Sequence, residues 1–406
     1  MAVLAVNAGS SSLKFSCYPL AAGVVQASVL NGNIQGLEPQ GQPTLSWQFA
    51  GEAHQQALNL PDGSAAERFA GALAVLQRLL GVLPGLPALT AVAHRVVHGG
   101  REHRASVVVT PAVLDALGQL NPLAPLHQPH NLAGIRAFAA AFPQLPQVAC
   151  FDTAFHATLG PLETTFAIPH ELTTEGVVRY GFHGLSYQFV MATLLAHTPR
   201  AQGRVLMAHL GNGASLCAAQ GGKSVSTSMG FSALDGLMMG TRSGSLDAGV
   251  LLYLLAQGWD TAKVQRLLYS QSGLLGVSGV SADMRRLGQV AEGDGAEAQR
   301  ARFAIDLFTH RVVREAGAMV ATLQGLDVLA FSGGIGEHDA GLRTRVAERM
   351  GWLGVRLDAS ANLAATGDAV AAIHAPDSAV EVWVIPTDEG RVAAEEAARC
   401  LHPVGQ

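Results

Sequence analysis

Apolar residues gather in five short runs, each leading into a glycine-rich or polar turn. Residues 3–6 run into Asn-Ala-Gly-Ser-Ser-Ser, 148–151 into Asp-Thr, and 205–208 into His-Leu-Gly-Asn-Gly. Residues 326–331 run into Ser-Gly-Gly-Ile-Gly, and 382–385 into Pro-Thr-Asp-Glu. None alternates strictly between apolar and polar, so each reads as a strand covered on both faces by helices. Helical periodicity predicts helices over 64–80, 131–142, 300–323 and 391–401. In the third, Phe303, Leu307, Val312, Met319, Val320 and Leu323 are expected to share one face.

A weak repeat links the two halves. Val3, Leu4 and Gly9 match Val205, Leu206 and Gly211 at a constant offset, and a Ser-Leu pair follows each turn, slipped by one residue. Two halves that each open on a strand, a turn and a strand suggest a duplicated nucleotide-binding unit with a cleft between the copies. No low-complexity linker separates them. The expected division is 1–150 and 151–389, with the boundary where a strand ends.

Composition narrows the options. The chain has 406 residues, 49% hydrophobic and 14% charged, with a net charge of −5. That is ample for two or three cores. With no Lys/Arg block, nucleic acid and membrane surfaces are excluded as partners. No apolar run spans a bilayer and no signal peptide opens the chain. Four scattered cysteines, Cys17, Cys150, Cys217 and Cys400, argue for a reducing cytoplasm.

The turn from Asn7 to Lys14 combines small residues, hydroxyls and one of only three lysines, a composition that suits an anion. It is not a Walker A loop. Phosphate binding on a hairpin points to actin-like ATPase folds. Arg95, set among apolar residues, suits bidentate binding of a carboxylate or phosphate, or a core carboxylate partner. His94 and His98 beside it read as packing residues. Asp152 closes a strand where α/β sheets bind ligands, although it also suits a helix start. His183 lies between aromatic and glycine residues. Arg242 sits in a Met-Gly-Thr-Arg-Ser-Gly loop, and Glu389 follows the last strand in a carboxylate-rich turn able to serve Mg²⁺ or to start a helix.

Together these segments resemble the acetokinase family, within the acetate and sugar kinase, Hsp70 and actin superfamily. Asn-Ala-Gly-Ser-Ser-Ser-Leu-Lys-Phe and Met-Gly-Thr-Arg-Ser-Gly carry the resemblance, in consistent order from Val6 to Glu389. It implies an α/β, two-domain actin-like ATPase fold built from duplicated ribonuclease H-like domains, with a C-terminal helix over 390–406 returning to the first domain. It also implies Mg-ATP-dependent, reversible phosphorylation of acetate in the cytoplasm by a homodimer, with Mn²⁺ as a substitute metal. By position, Asn7 and Glu389 match the metal site, and Lys14 a nucleotide-phosphate contact. His209, Leu210, Gly211, Asn212 and Gly213 would line the ATP phosphates. Asp283, Met284, Arg285, Gly334, Ile335, Gly336, Glu337 and His338 would surround the nucleoside. Arg95 matches the acetate-carboxylate contact, and Val97, Leu126, Phe182 and Ala233 the acetate pocket. Asp152 matches the acid/base position, and His183 and Arg242 the transition-state stabilisers.

The chain departs from the family pattern at Ser245 and Ala248, commonly Asp and Pro, and at His338, Asp388, Gly390 and Ala233, the last often proline. These bear on acceptor and nucleotide choice. The rivals are a propionate or other short-chain acyl kinase on the same fold and, more distantly, an Hsp70-like nucleotide switch.

Overall fold

The computed structural model describes residues 1–9, 11–60, 63–125 and 127–401. They form two compact units: Met1–Ala154 with the chain from Asp388 onward, and Phe155–Thr387.

The first unit is a mixed sheet of β1 (Ala2–Ala8), β2 (Ser12–Ala21), β3 (Val24–Val25), β4 (Leu30–Gln35), β5 (Thr44–Phe49), β6 (Glu52–Ala57), β7 (Leu89–Val96), β8 (Val107–Val108) and β9 (Gln147–Phe151). Its order is β6-β5-β4-β2-β1-β7-β9-β8, with β3 on β2. Laterally paired residues share a face because side chains alternate along each strand. Leu4, Val6, Ala8, Leu13, Phe15 and Val92 point to one face, packing on Ala72, Leu73 and Leu76 of helix Ala65–Val82 and Phe138 of helix Gln128–Ala141. Ser64 begins the former helix with a capping box closed by Glu67. The opposite face is covered by helix Glu389–Leu401, whose Val392, Ala393 and Ala397 are buried. Cys150 Sγ lies 3.6 Å from the Ala393 carbonyl, and Tyr18 Oη donates to Asp388 at 2.6 Å, tying the first half of that cover to the sheet.

The second unit holds β10 (Arg204–Leu210), β11 (Ala214–Gln220), β12 (Lys223–Thr227), β13 (Val328–Ser332), β14 (Ala371–Ala372) and β15 (Glu381–Val384), in the order β12-β11-β10-β13-β15-β14. Its path β12-β11-β10-β13-β15 repeats β4-β2-β1-β7-β9 of the first unit. In each, two antiparallel pairings lead into two parallel ones.

Register corrects one detail of the sequence repeat. Asn7 pairs with Lys14, and His209 with Ser215, so Lys14 and not Ser12 corresponds to Ser215. The first hairpin's link is one residue longer, which displaces the Ser-Leu match.

Helix Gly184–His197 covers the face carrying Val205, Met207 and Cys217. Helix Ala296–Leu323 packs on β10 and β11. Phe303, expected on that helix's buried face, is exposed, while Ala304, Ile305 and Phe308 are buried. Nine residues at 100° each place Phe303 half a turn from Val312, so both cannot face the core.

Candidate functional site

In the first unit the polar groups collect on the face covered by the C-terminal helix. Pairing of Asn7 with Lys14, and the parallel registers of β1 with β7 and β7 with β9, put Asn7, Lys14, Arg95 and Asp152 on that face. Asp152 is buried just past β9, where its backbone N–H donates to the Val96 carbonyl at 3.0 Å. Arg95 meets it fork on fork: Nε donates to Oδ1 at 2.9 Å and Nη2 to Oδ2 at 2.7 Å. Glu389, at the start of the C-terminal helix, lies 3.4 Å from the same Nε. Burial alone would weaken the Arg95 charge, but Asp152 and Glu389 outweigh it and hold the guanidinium protonated well above its ordinary range. Among the described residues, no hydrogen bond reaches Arg95 Nη1.

Asn131 organises the segment after Arg95, accepting from the Val97 N–H at 3.0 Å and donating to the Ala8 carbonyl at 2.9 Å. It ties the β7 exit to the β1 exit. Nothing in the sequence marked it, because the contact spans helix and hairpin. His98 accepts from the Gly100 N–H, and His94 pairs with Gln147. Burial pushes both down to about 4, so they are neutral packing groups, as their sequence context suggested.

In the second unit His183 precedes helix Gly184–His197 with a left-handed backbone, φ +59°. A non-glycine residue in this region is strained, and such strain concentrates at functional sites. Its Nδ1 lies 2.8 Å from Ser215 Oγ, and its ring centroid is 4.3 Å from that of His209. A Cβ on Gly213 would stand 3.3 Å from His183 Nε2 and 3.9 Å from Arg242 Nη1, so the glycine turn, the imidazole and the guanidinium converge. The Arg242 loop is held against this turn by the Gly240 N–H, which donates to the Asn212 carbonyl at 2.9 Å. Arg242 Nη1 donates to the Ala233 carbonyl at 3.0 Å. His156 secures Phe182 through that residue's carbonyl, and burial pushes it down to about 4. Arg179, which the sequence reading passed over, binds the carbonyls of Thr227 and Met229 and lies 3.7 Å from Asp235.

Beside this cluster is a cavity of about 740 Å³. Gly211, Asn212, Asp283, Met284, Arg285, Gly334, Ile335 and His338 line it, with Ala282, Gly288, Asp339 and Ala340. Asp283 caps helix Met284–Ala291, and its pairing with Arg285 lowers its carboxyl below the usual range. Of the other residues expected around the nucleotide, Leu210 and Gly336 are buried in the fold. Glu337 turns inward, accepting from the Gly333 and Thr387 N–H groups at 2.8 and 3.0 Å. These three support the cavity without lining it, because a strand end and a short helix's inner side point away from it. Leu126 lies outside the described residues.

The duplicated strand order and a cavity bounded by glycine turns define an α/β fold of the actin-like type. The sequence model of the Acetokinase family matches residues 2–395. An acetate kinase from Rhodopseudomonas palustris (strain ATCC BAA-98 / CGA009) is 46% identical over 401 residues, covering 98% of each chain. A crystal structure of a propionate kinase from Francisella tularensis superposes with TM-score 0.87 at 35% identity, covering 97% of this chain and 98% of that one. That of Porphyromonas gingivalis acetate kinase gives 0.86 at 34%, covering 99% and 100%. The chain belongs to the acetokinase family.

The family implies Mg²⁺. Among the described residues no three His, Cys, Asp or Glu side chains form a cage. The oxygen donors of Asn7 and Glu389 nevertheless suit Mg²⁺, which is usually held by one or two carboxylates while waters and substrate phosphates complete its shell. No helix among the described residues is long and apolar enough to cross a membrane.

Proposed function

We propose that the protein transfers a phosphoryl group reversibly between ATP and acetate, giving acetyl phosphate and ADP. The observation that carries this reading is the Arg95–Asp152 pair. Asp152 occupies the Nε/Nη2 edge and fixes the guanidinium plane, and Nη1 remains to donate to an acceptor carboxylate. An acetate nucleophile is ionised near neutrality, since carboxyl pKa values lie near ~4, so the transfer needs no general base. Asp152 therefore acts by orienting Arg95. In the second unit the cavity takes the nucleoside, and the turn from His209 to Gly213 takes the phosphates through backbone N–H groups. His183 and Arg242 donate to the equatorial oxygens of the transferring group. Lys14 neutralises phosphate charge. Asn7 and Glu389 would hold Mg²⁺ (or Mn²⁺), which supplies further neutralisation when bound.

Helix Ala248–Ala256, of sequence Ala-Gly-Val-Leu-Leu-Tyr-Leu-Leu-Ala, has no buried residue, and Leu252 and Tyr253 are 69% and 62% exposed. An apolar surface of this kind supports a homodimer. Four free thiols suit a reducing cytoplasm.

Propionate is the second reading, favoured by Ala233. Alanine where proline is common removes about two ring carbons of wall, and a single methylene is discriminated only about 10–200-fold by an apolar pocket. Propionate should then be used within about tenfold of acetate in kcat/KM. ATP formation from ADP and acetyl phosphate, read by luciferase, tests the main reading; no ATP above a protein-free control would refute it.

A further inference from the structure

We propose that Tyr187 and Ser215 are positioning residues that fix the tautomer of His183, leaving its proton on Nε2, the nitrogen that faces the glycine turn. The inference rests on the proposed role of His183 for its catalytic consequence, but the tautomer itself follows from geometry alone.

Tyr187 and Ser215 are both fully buried. Ser215 lies opposite His209 in the β10–β11 pairing, on the face that helix Gly184–His197 covers. Its Oγ therefore points toward the first turn of that helix, where Tyr187 and His183 stand. Tyr187 Oη is 2.5 Å from Ser215 Oγ, and Ser215 Oγ is 2.8 Å from His183 Nδ1.

The hydrogens in this chain can be assigned by counting. The phenol has one hydrogen, and among the described residues Ser215 Oγ is the acceptor within its reach. Tyr187 therefore donates to Ser215. The serine hydroxyl also has one hydrogen, and its other neighbour is His183 Nδ1. Ser215 donates there, and Nδ1 must accept with its lone pair. A neutral imidazole that accepts at Nδ1 carries its hydrogen at Nε2. That nitrogen is the one 3.3 Å from where a Gly213 Cβ would stand. The reverse polarity would leave the tyrosine hydrogen buried without an acceptor, which is costly.

The arrangement gives His183 a donor aimed at the turn before any phosphate arrives, so no reorientation is required during transfer. Ser215→Ala removes the hydrogen that Nδ1 accepts. Tyr187→Phe leaves the serine hydroxyl free to rotate and donate elsewhere. In each, both tautomers of His183 become populated, and kcat should fall about 10- to 100-fold while both KM values stay within about threefold.

Two-bond proton–nitrogen correlation spectra of the uniformly ¹⁵N-labelled protein near pH 8 test this. The His183 signals are identified by their loss in His183→Gln. The proposal expects the Nε2–H pattern in wild type and mixed patterns in both variants, accompanied by the fall in kcat. An Nδ1–H pattern in wild type, or unchanged patterns in both variants, would overturn the assignment. Altered patterns with an unchanged kcat would overturn the positioning role. Absence of any acyl phosphate formation by wild type would instead refute the proposed function and leave the tautomer result standing. Circular dichroism shows whether each variant is folded, and if Ser215→Ala is not, Tyr187→Phe with its nearly identical volume carries the comparison.

Discussion

At the scale of single residues, the proposed mechanism gives the two arginines separable duties. Arg242→Ala should lower kcat by about 10²–10³ with a smaller change in acetate KM, because its contact strengthens in the transition state. Arg95→Ala should raise acetate KM as well as lower kcat, and Asp152→Ala should resemble it, since the fork that orients Arg95 is lost. Lysine should rescue either arginine poorly, having no planar fork. Steady-state kinetics on the five variants check this, and an Asp152→Ala enzyme with unaltered acetate KM would remove the orienting role. These residues were legible in the sequence because guanidinium and carboxylate groups among apolar neighbours are unusual. Asn131, Tyr187 and Ser215 were not. Their contacts join positions 34, 123, 28 and 32 apart in the chain, and an asparagine, a tyrosine or a serine in an ordinary segment carries no mark of such a partner.

At the scale of elements, most strands buried on both faces announced themselves and strands with a wet face did not. The runs at 3–6 and 205–208 lie within β1 and β10, whose residues are nearly all buried. By contrast β6 is exposed along its whole length and β5 only partly buried, so no apolar run marks either. Helix Ala296–Leu323 was found but its face was misjudged at Phe303. A long helix drifts far enough that a large apolar residue in its first turns can face solvent. Helix Ala248–Ala256 presents the opposite problem, being apolar all round with none of its residues fully buried by its own unit. If it is a dimer surface, Leu252→Asp combined with Tyr253→Ser should give a monomer by sedimentation equilibrium while the far-ultraviolet circular dichroism is kept. A wild type that is monomeric at micromolar concentration would contradict the assignment.

For the whole molecule, the duplication was visible only as a faint repeat, because fold symmetry resides in strand order and register, which tolerate nearly complete change of side chains. Stability should carry a signature of the buried histidines. His94 and His98 in the first unit and His156 in the second are each pushed down to about 4, below the unfolded value of about 6.5. A depressed folded-state value means that the stabilisation is present above about pH 6.5 and is lost as pH falls toward 4. Each proton taken up on unfolding contributes about 1.4 kcal/mol per pH unit in that interval, so the first unit should weaken about twice as steeply as the second. Urea unfolding followed between pH 7 and 5 measures this, and a pH-independent midpoint would contradict it. The central claim is that an ionised carboxylate receives the phosphoryl group, and hydroxylamine trapping tests it most directly. With ATP, Mg²⁺ and acetate the protein should yield acetohydroxamate in step with ADP, and Arg95→Ala should yield far less. ADP released without hydroxamate, or hydroxamate formed equally well by the Arg95 variant, would contradict the account.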